Sequence, residues 1–172
     1  AFTLYFYPKI SYGLPASTFS EKECRYIQAP AKAAFLSKIG LNRHTADSII
    51  HGPEEFGGLQ LPNVYVDQGI AQLRLFLGHM RRQDKTSELI EVAMSYMQLR
   101  TGAKPLFLNL PFPKYAKWVE KTWLTSLWQF LHLARLTVSV PFSLPTLMRE
   151  NDVFLMTEFI YLRFVSSSLE LI

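Results

Sequence analysis

The sequence is short of most features that announce chemistry. Its 172 residues contain one cysteine, Cys24, so no internal disulfide can form and paired thiolates for a structural zinc site are lacking. That excludes the disulfide-rich class of small secreted domains. There are only four aspartates, Asp47, Asp67, Asp84 and Asp152, and no two are adjacent, which argues against carboxylates converging on a pair of magnesium ions. His44, His51, His79 and His132 show none of the HxxxH or HExxH spacings. The phosphate cradles GxGxxG and GxxxxGK[ST] are absent, and so is the GxSxG of a nucleophile elbow. No run approaches the roughly 20 apolar residues that cross a bilayer. The opening AFTLYFYPKI has no basic stretch leading into an apolar one. The expectation is an intracellular chain, cytoplasmic or nuclear, without a membrane partner.

Apolar residues make up 49% of the chain and aromatics 14%, enough to bury a core of one ordinary domain. The net charge of +4 is spread evenly. Residues 1–104 carry 12 basic and 9 acidic side chains, and residues 105–172 carry 6 and 5. Such a balance is compatible with a phosphate-bearing partner without requiring one.

Periodicity predicts a mainly α-helical, irregular bundle. Short extended or β segments are expected at the N-terminus and around residues 104–113 and 137–147. Phe2, Leu4 and Phe6 alternate up to Pro8 like a strand or connector. Ser20-Glu21-Lys22-Glu23 has the form of a capping box, so a helix starts there, with Cys24, Ile27, Ala31, Ala34 and Phe35 inward and Gly40 as its stop. Pro30 is expected to kink or break it. A short helix over 45–51 closes at Gly52-Pro53. Asn63 caps a second long helix facing inward with Ile70, Leu73, Phe76, Leu77 and Met80, and Thr86 or Ser87 caps a third with Leu89, Ile90, Ala93, Met94 and Met97. A long helix over 114–136 holds Trp118, Trp123 and Trp128, and a last apolar segment follows Arg149. The division is a connector over 1–17, a helical region over 18–102 and a second over 103–172.

Among candidate site residues, Lys22, Arg25 and Lys32 share the polar side of the first long helix, and Arg43 opens the next element. Together they can follow a phosphate backbone, although a plain solvated helix face accounts for them as well. Cys24 falls on an inward face, where thiols are normally inert.

Four groups of residues carry a resemblance. They are Pro8-Lys9 with Tyr12, then Lys38-Gly40-Asn42-Arg43, then Gly52-Pro53 with Gly57-Gly58-Leu59, and finally Gln68-Gly69 with Gln72. In this order, over residues 5–85, the chain resembles the region that follows the palm in reverse-transcriptase-like proteins of non-LTR retrotransposons. The aromatic-x-Asp-Asp motif of such a palm is absent. The resemblance implies that residues 18–102 are a thumb-like region of an RNA-directed DNA polymerase fragment. It would grip the backbone of a primer–template duplex through Lys22, Arg25, Lys32 and Arg43, with no catalysis of its own. No cofactor is expected in this chain, since Mg2+ would belong to the missing palm. The implied partners are nucleic acid and that palm, with self-association through apolar faces left exposed. The alternative is a helical protein–protein interaction or scaffold module with no nucleic-acid role, docking through Trp118, Trp123 and Trp128.

Overall fold

A computed structural model describes residues 7–144. The expected alternating segment before Tyr7 and the apolar segment after Arg149 lie outside them. Among the described residues seven α-helices make up the frame: α1 (Tyr7–Ser11), α2 (Glu21–Lys38), α3 (Asp47–His51), α4 (Val64–Arg82), α5 (Lys85–Thr101), α6 (Phe112–Tyr115) and α7 (Trp123–Ala134). No β-strand occurs among the described residues. The mainly helical class therefore holds, whereas 107–109 forms a 3-10 turn rather than a strand.

Local chemistry sets the boundaries. Ser20 and Glu23 form the reciprocal box at the start of α2, with Ser20 N–H donating to Glu23 Oε2 at 2.8 Å. Asn63 caps α4 by accepting from the Tyr65 and Val66 N–H groups. Gly40 and Gly102 follow α2 and α5 with φ of 75° and 63°, angles that a side chain resists.

Four expectations are corrected. Pro30 does not break α2 into two helices: the helix runs on to Lys38, with one ladder hydrogen bond missing at the proline. The cap of α5 is Asp84, whose carboxylate accepts from Ser87 N–H at 3.0 Å; Thr86 and Ser87 lie inside the helix. The long helix over 114–136 is broken. α6 and a 3-10 turn over 116–118 end before Thr122, which opens α7 by a second capping box with Thr125. Tyr7 also begins a helix instead of closing an extended connector.

The main core joins α4, α5 and α7. Phe76 and Met80, Met94 and Met97, and Leu124, Leu127, Trp128 and Leu131 are buried with Phe107 and Leu108 between the helices. The Trp128 ring makes T-shaped contacts with Phe107 and Phe112, with centroids 5.4 and 5.1 Å away, and its N–H donates to Leu110 O at 2.8 Å. Two smaller clusters hold the other end: Leu36, Ile50 and Leu61, and Leu14, Cys24 and Val64.

α4 crosses α7 at Gly69, where an added Cβ would lie 2.1 Å from the Phe130 ring. Only glycine permits that approach. On either side Gln68 and Gln72 are buried. Gln68 accepts from Ser17 Oγ at 2.8 Å and donates to Phe19 O at 2.9 Å, and Gln72 donates to Ser17 O at 2.6 Å. A polar pair at core positions thus fastens the 17–19 segment to α4, with its donors satisfied.

Candidate functional site

The four basic residues follow from α2 and the turn after it. Arg25 and Lys32 lie seven residues apart, nearly two full helical turns, so they share one side of α2. Both line a cleft of about 450 Å3 between α2, α3, the start of α4 and the end of α7. Lys22 and Arg43 are exposed and do not line it. The structure thus brings two of the four together.

Each of these two is already engaged. The Arg25 guanidinium donates to Glu21 Oε1 at 2.5 Å one turn earlier. Lys32 Nζ meets Asp47 Oδ1 at 2.5 Å, tying α2 to α3, and this bond holds the Asp47 carboxyl below its usual range. Arg43 Nε–H points to His44 Nε2 at 3.2 Å, beside an Asn42 carbonyl side chain that accepts from His44 N–H at 3.0 Å.

The far wall of the cleft carries His51, Tyr65 and Val66. His51 Nδ1–H donates to Leu61 O at 2.8 Å, which fixes the ring's tautomer and orientation. The Tyr65 hydroxyl is shut away from solvent with no hydrogen-bond partner, and burial raises its pKa. Cys24 sits at the cleft floor, its thiol pushed up to about 11 chiefly by desolvation. A thiol that stays protonated is a poor nucleophile. Among the described residues, no group of three or more His, Cys, Asp or Glu is placed to hold a metal ion.

A second polar constellation lies between α4 and α5, where His79 Nδ1 is 2.7 Å from Asp84 Oδ2 and Arg82 Nε 3.4 Å from it. His79 is the first cause of the lowered Asp84 pKa. Asp84 also caps α5, so the trio closes the α4–α5 turn.

The residue groups behind the resemblance have local tasks. Gly57 adopts φ of 77°, and a Cβ on Gly58 would meet Gly52 O at 2.1 Å, so the 52–61 loop folds back on itself with Gly58 N–H donating to Pro53 O at 2.9 Å. Gln68, Gly69 and Gln72 make the clamp already described.

The three tryptophans separate. Trp128 is fully buried, Trp123 donates its N–H to Pro15 O at 2.7 Å, and Trp118 alone is largely exposed. A docking surface built on all three is corrected accordingly: two of them belong to the fold. The exposed apolar surface missed at the sequence level lies on α5. Leu89, Val92, Tyr96 and Leu99 are 65%, 69%, 48% and 40% exposed. Leu89 and Ala93, expected inward, face out, because the inward side is set by Met94 and Met97. The signal was the 3-4-3 spacing of these four residues, the repeat of a coiled-coil seam.

No family model, no curated protein and no solved structure matches the chain. The descriptors reverse transcriptase-like, retrotransposon, RNA-directed DNA polymerase fragment, thumb and nucleic-acid binding find no support in these comparisons and are withdrawn, while the helical description stands. No helix among the described residues is long and apolar enough to cross a membrane.

Proposed function

We propose that the chain is a non-catalytic helical docking module, acting inside the cell, where its lone thiol stays reduced. The observation that supports this most is the apolar seam of α5: four large side chains at helical-pair spacing, all exposed on a helix whose opposite side is core. Solvated apolar stripes of this kind mark binding faces more often than scattered surface residues do. The partnered state of Arg25 and Lys32 points the same way, since a phosphate would have to displace Glu21 and Asp47.

Two measurements test the reading. The apolar dye 1-anilinonaphthalene-8-sulfonate should brighten on the folded chain at low micromolar concentration. It should dim on the Val92→Glu/Tyr96→Glu variant, whose unfolding temperature is unchanged. A fluorescent DNA–RNA duplex should show no salt-dependent binding. Tight binding that falls steeply with salt, with a slope flattened by Arg25→Ala and Lys32→Ala, would overturn the proposal in favour of phosphate contact.

A further inference from the structure

We infer that the corner joining α6 to α7 is a contact surface for an anionic lipid bilayer. The Trp118 ring enters the headgroup layer, and Lys114, Lys117 and Lys121 meet the anionic headgroups. None of these residues belongs to the seam on α5, so the inference goes beyond the docking reading and stands apart from it.

Positive charge is concentrated in this part of the chain. Residues 103–144 carry Lys104, Lys114, Lys117, Lys121 and Arg135 against one acid, Glu120. Over residues 7–102, by contrast, eleven cations meet nine acids.

The backbone gathers these charges around one exposed ring. From Phe112 to Trp118 it is continuously helical, α6 passing directly into the 3-10 turn over 116–118. Phe112 and Tyr115, three residues apart, pack with Val119 against the main core. Lys114, Lys117 and Trp118 are related by steps of three and four, so they share the other side of this stretch. All three are exposed, Trp118 at 58%. Lys117 Nζ lies 4.8 Å from the Trp118 ring centroid, and Lys114 Nζ lies 5.2 Å from that of Tyr115. Lys121, also exposed, borders the same cleft as Lys117. Glu23 and Glu120 border that cleft too, but Glu23 is held by the Ser20 hydroxyl and N–H. Among the described residues, none of the three lysines is in an ion pair, in contrast to Arg25 and Lys32.

Size and chemistry select the occupant. One tryptophan and three lysines within residues 114–121 cannot bury the roughly 1,200 Å2 of a stable protein interface. A bilayer demands no such fit. An indole ring settles at the headgroup level, and each lysine near an anionic leaflet strengthens attachment about five-fold. All three cations are lysines, point charges suited to a diffuse anionic field; a fixed carboxylate or phosphate is better matched by the planar arginine fork. The lack of a spanning run, which set the expectation of no membrane partner, does not exclude such contact, because lying on a surface needs no long apolar stretch. Attachment by one ring and three charges is reversible and weakened by salt.

The full chain should sediment at low salt with phosphatidylcholine vesicles that contain about 30% phosphatidylserine, and not with phosphatidylcholine alone. Lys114→Ala/Lys117→Ala should weaken this binding about 25-fold, with circular dichroism and unfolding temperature unchanged. Trp118→Ala should weaken it as well. Tryptophan emission should shift to the blue when the parent binds, and Trp118→Phe should abolish the shift. Val92→Glu/Tyr96→Glu on α5 should bind the vesicles as the parent does, so that failure of the docking reading and failure of this inference are told apart. No sedimentation with the anionic vesicles, equal sedimentation with neutral ones, or binding indifferent to the paired lysine substitution would overturn the proposal. Loss of vesicle binding in the α5 variant would move the surface to the seam and equally overturn it. Binding to polyglutamate as tight as to the vesicles, and untouched by Trp118→Ala, would show general attraction of opposite charges and exclude the bilayer assignment.

Discussion

Among the described residues, ten buried apolar side chains gather into one cluster around Trp128, whereas around Cys24 and Leu36 there are two separate clusters of three. The second end compensates with directed bonds. Gln28 donates to Pro62 O at 2.6 Å and accepts from Val64 N–H at 3.3 Å, while Gln68 and Gln72 hold the 17–19 segment. Apolar burial is non-directional and accepts many side chains of suitable volume. A buried hydrogen-bond clamp accepts few, because an unpaired donor or acceptor is costly.

The largest test of the contrast is Trp128→Ala, which removes the centre of the main cluster. We expect a loss of about 3–5 kcal/mol in urea unfolding. A loss below about 1 kcal/mol would mean that the cluster is not what holds this end. Next comes Gln68→Ala at the polar end. It strands the N–H and carbonyl of Phe19, at an expected cost of about 1–3 kcal/mol by the same measurement, and Gln68→Leu should be no better, because volume is not the issue. Full stability of the leucine variant would erase the distinction between the two ends.

The smallest expected effect concerns Asp67, in the first turn of α4. Burial raises its pKa, against smaller opposing pulls from the Tyr7 hydroxyl and His51, and its Oδ2 has no hydrogen-bond partner. The folded chain therefore holds this proton more tightly than the unfolded chain does. The ionised carboxylate weighs against the fold at neutral pH, and that burden lifts as pH falls from above the raised value toward the ordinary carboxylate value of about 3.9. Asp67→Asn should be the more stable protein at pH 7, with the advantage shrinking toward pH 4. Parallel stability curves for the two proteins over that interval would show that the charge is solvated after all.

Much of the helical frame was legible from residues alone. The Ser20–Glu23 box, the Asn63 cap and the glycines after α2 and α5 appear where local chemistry put them, because a cap needs only its neighbours within one turn. The box at Thr122 was missed since its third residue is Thr125 rather than Glu or Gln, and the helix was drawn through it. Leu89 was placed inward because α5 has apolar residues on two faces, and periodicity cannot say which face meets the core. For the basic residues, the sequence identified Arg25 and Lys32 as neighbours on one helix face. It gave no sign that Asp47, fifteen residues beyond Lys32, would fold back against it.

The sequence by itself determined the helical class, most of the helix starts and stops, and the lack of any familiar catalytic motif, because these follow from short-range hydrogen bonding and from which residue types are present. Only the tertiary structure decided that two of the three tryptophans are structural, that two of the four cations are paired, and that one side of α5 has no neighbour among the described residues. Those outcomes depend on which surfaces meet across the chain, and a face becomes buried or exposed only once another element covers it or does not.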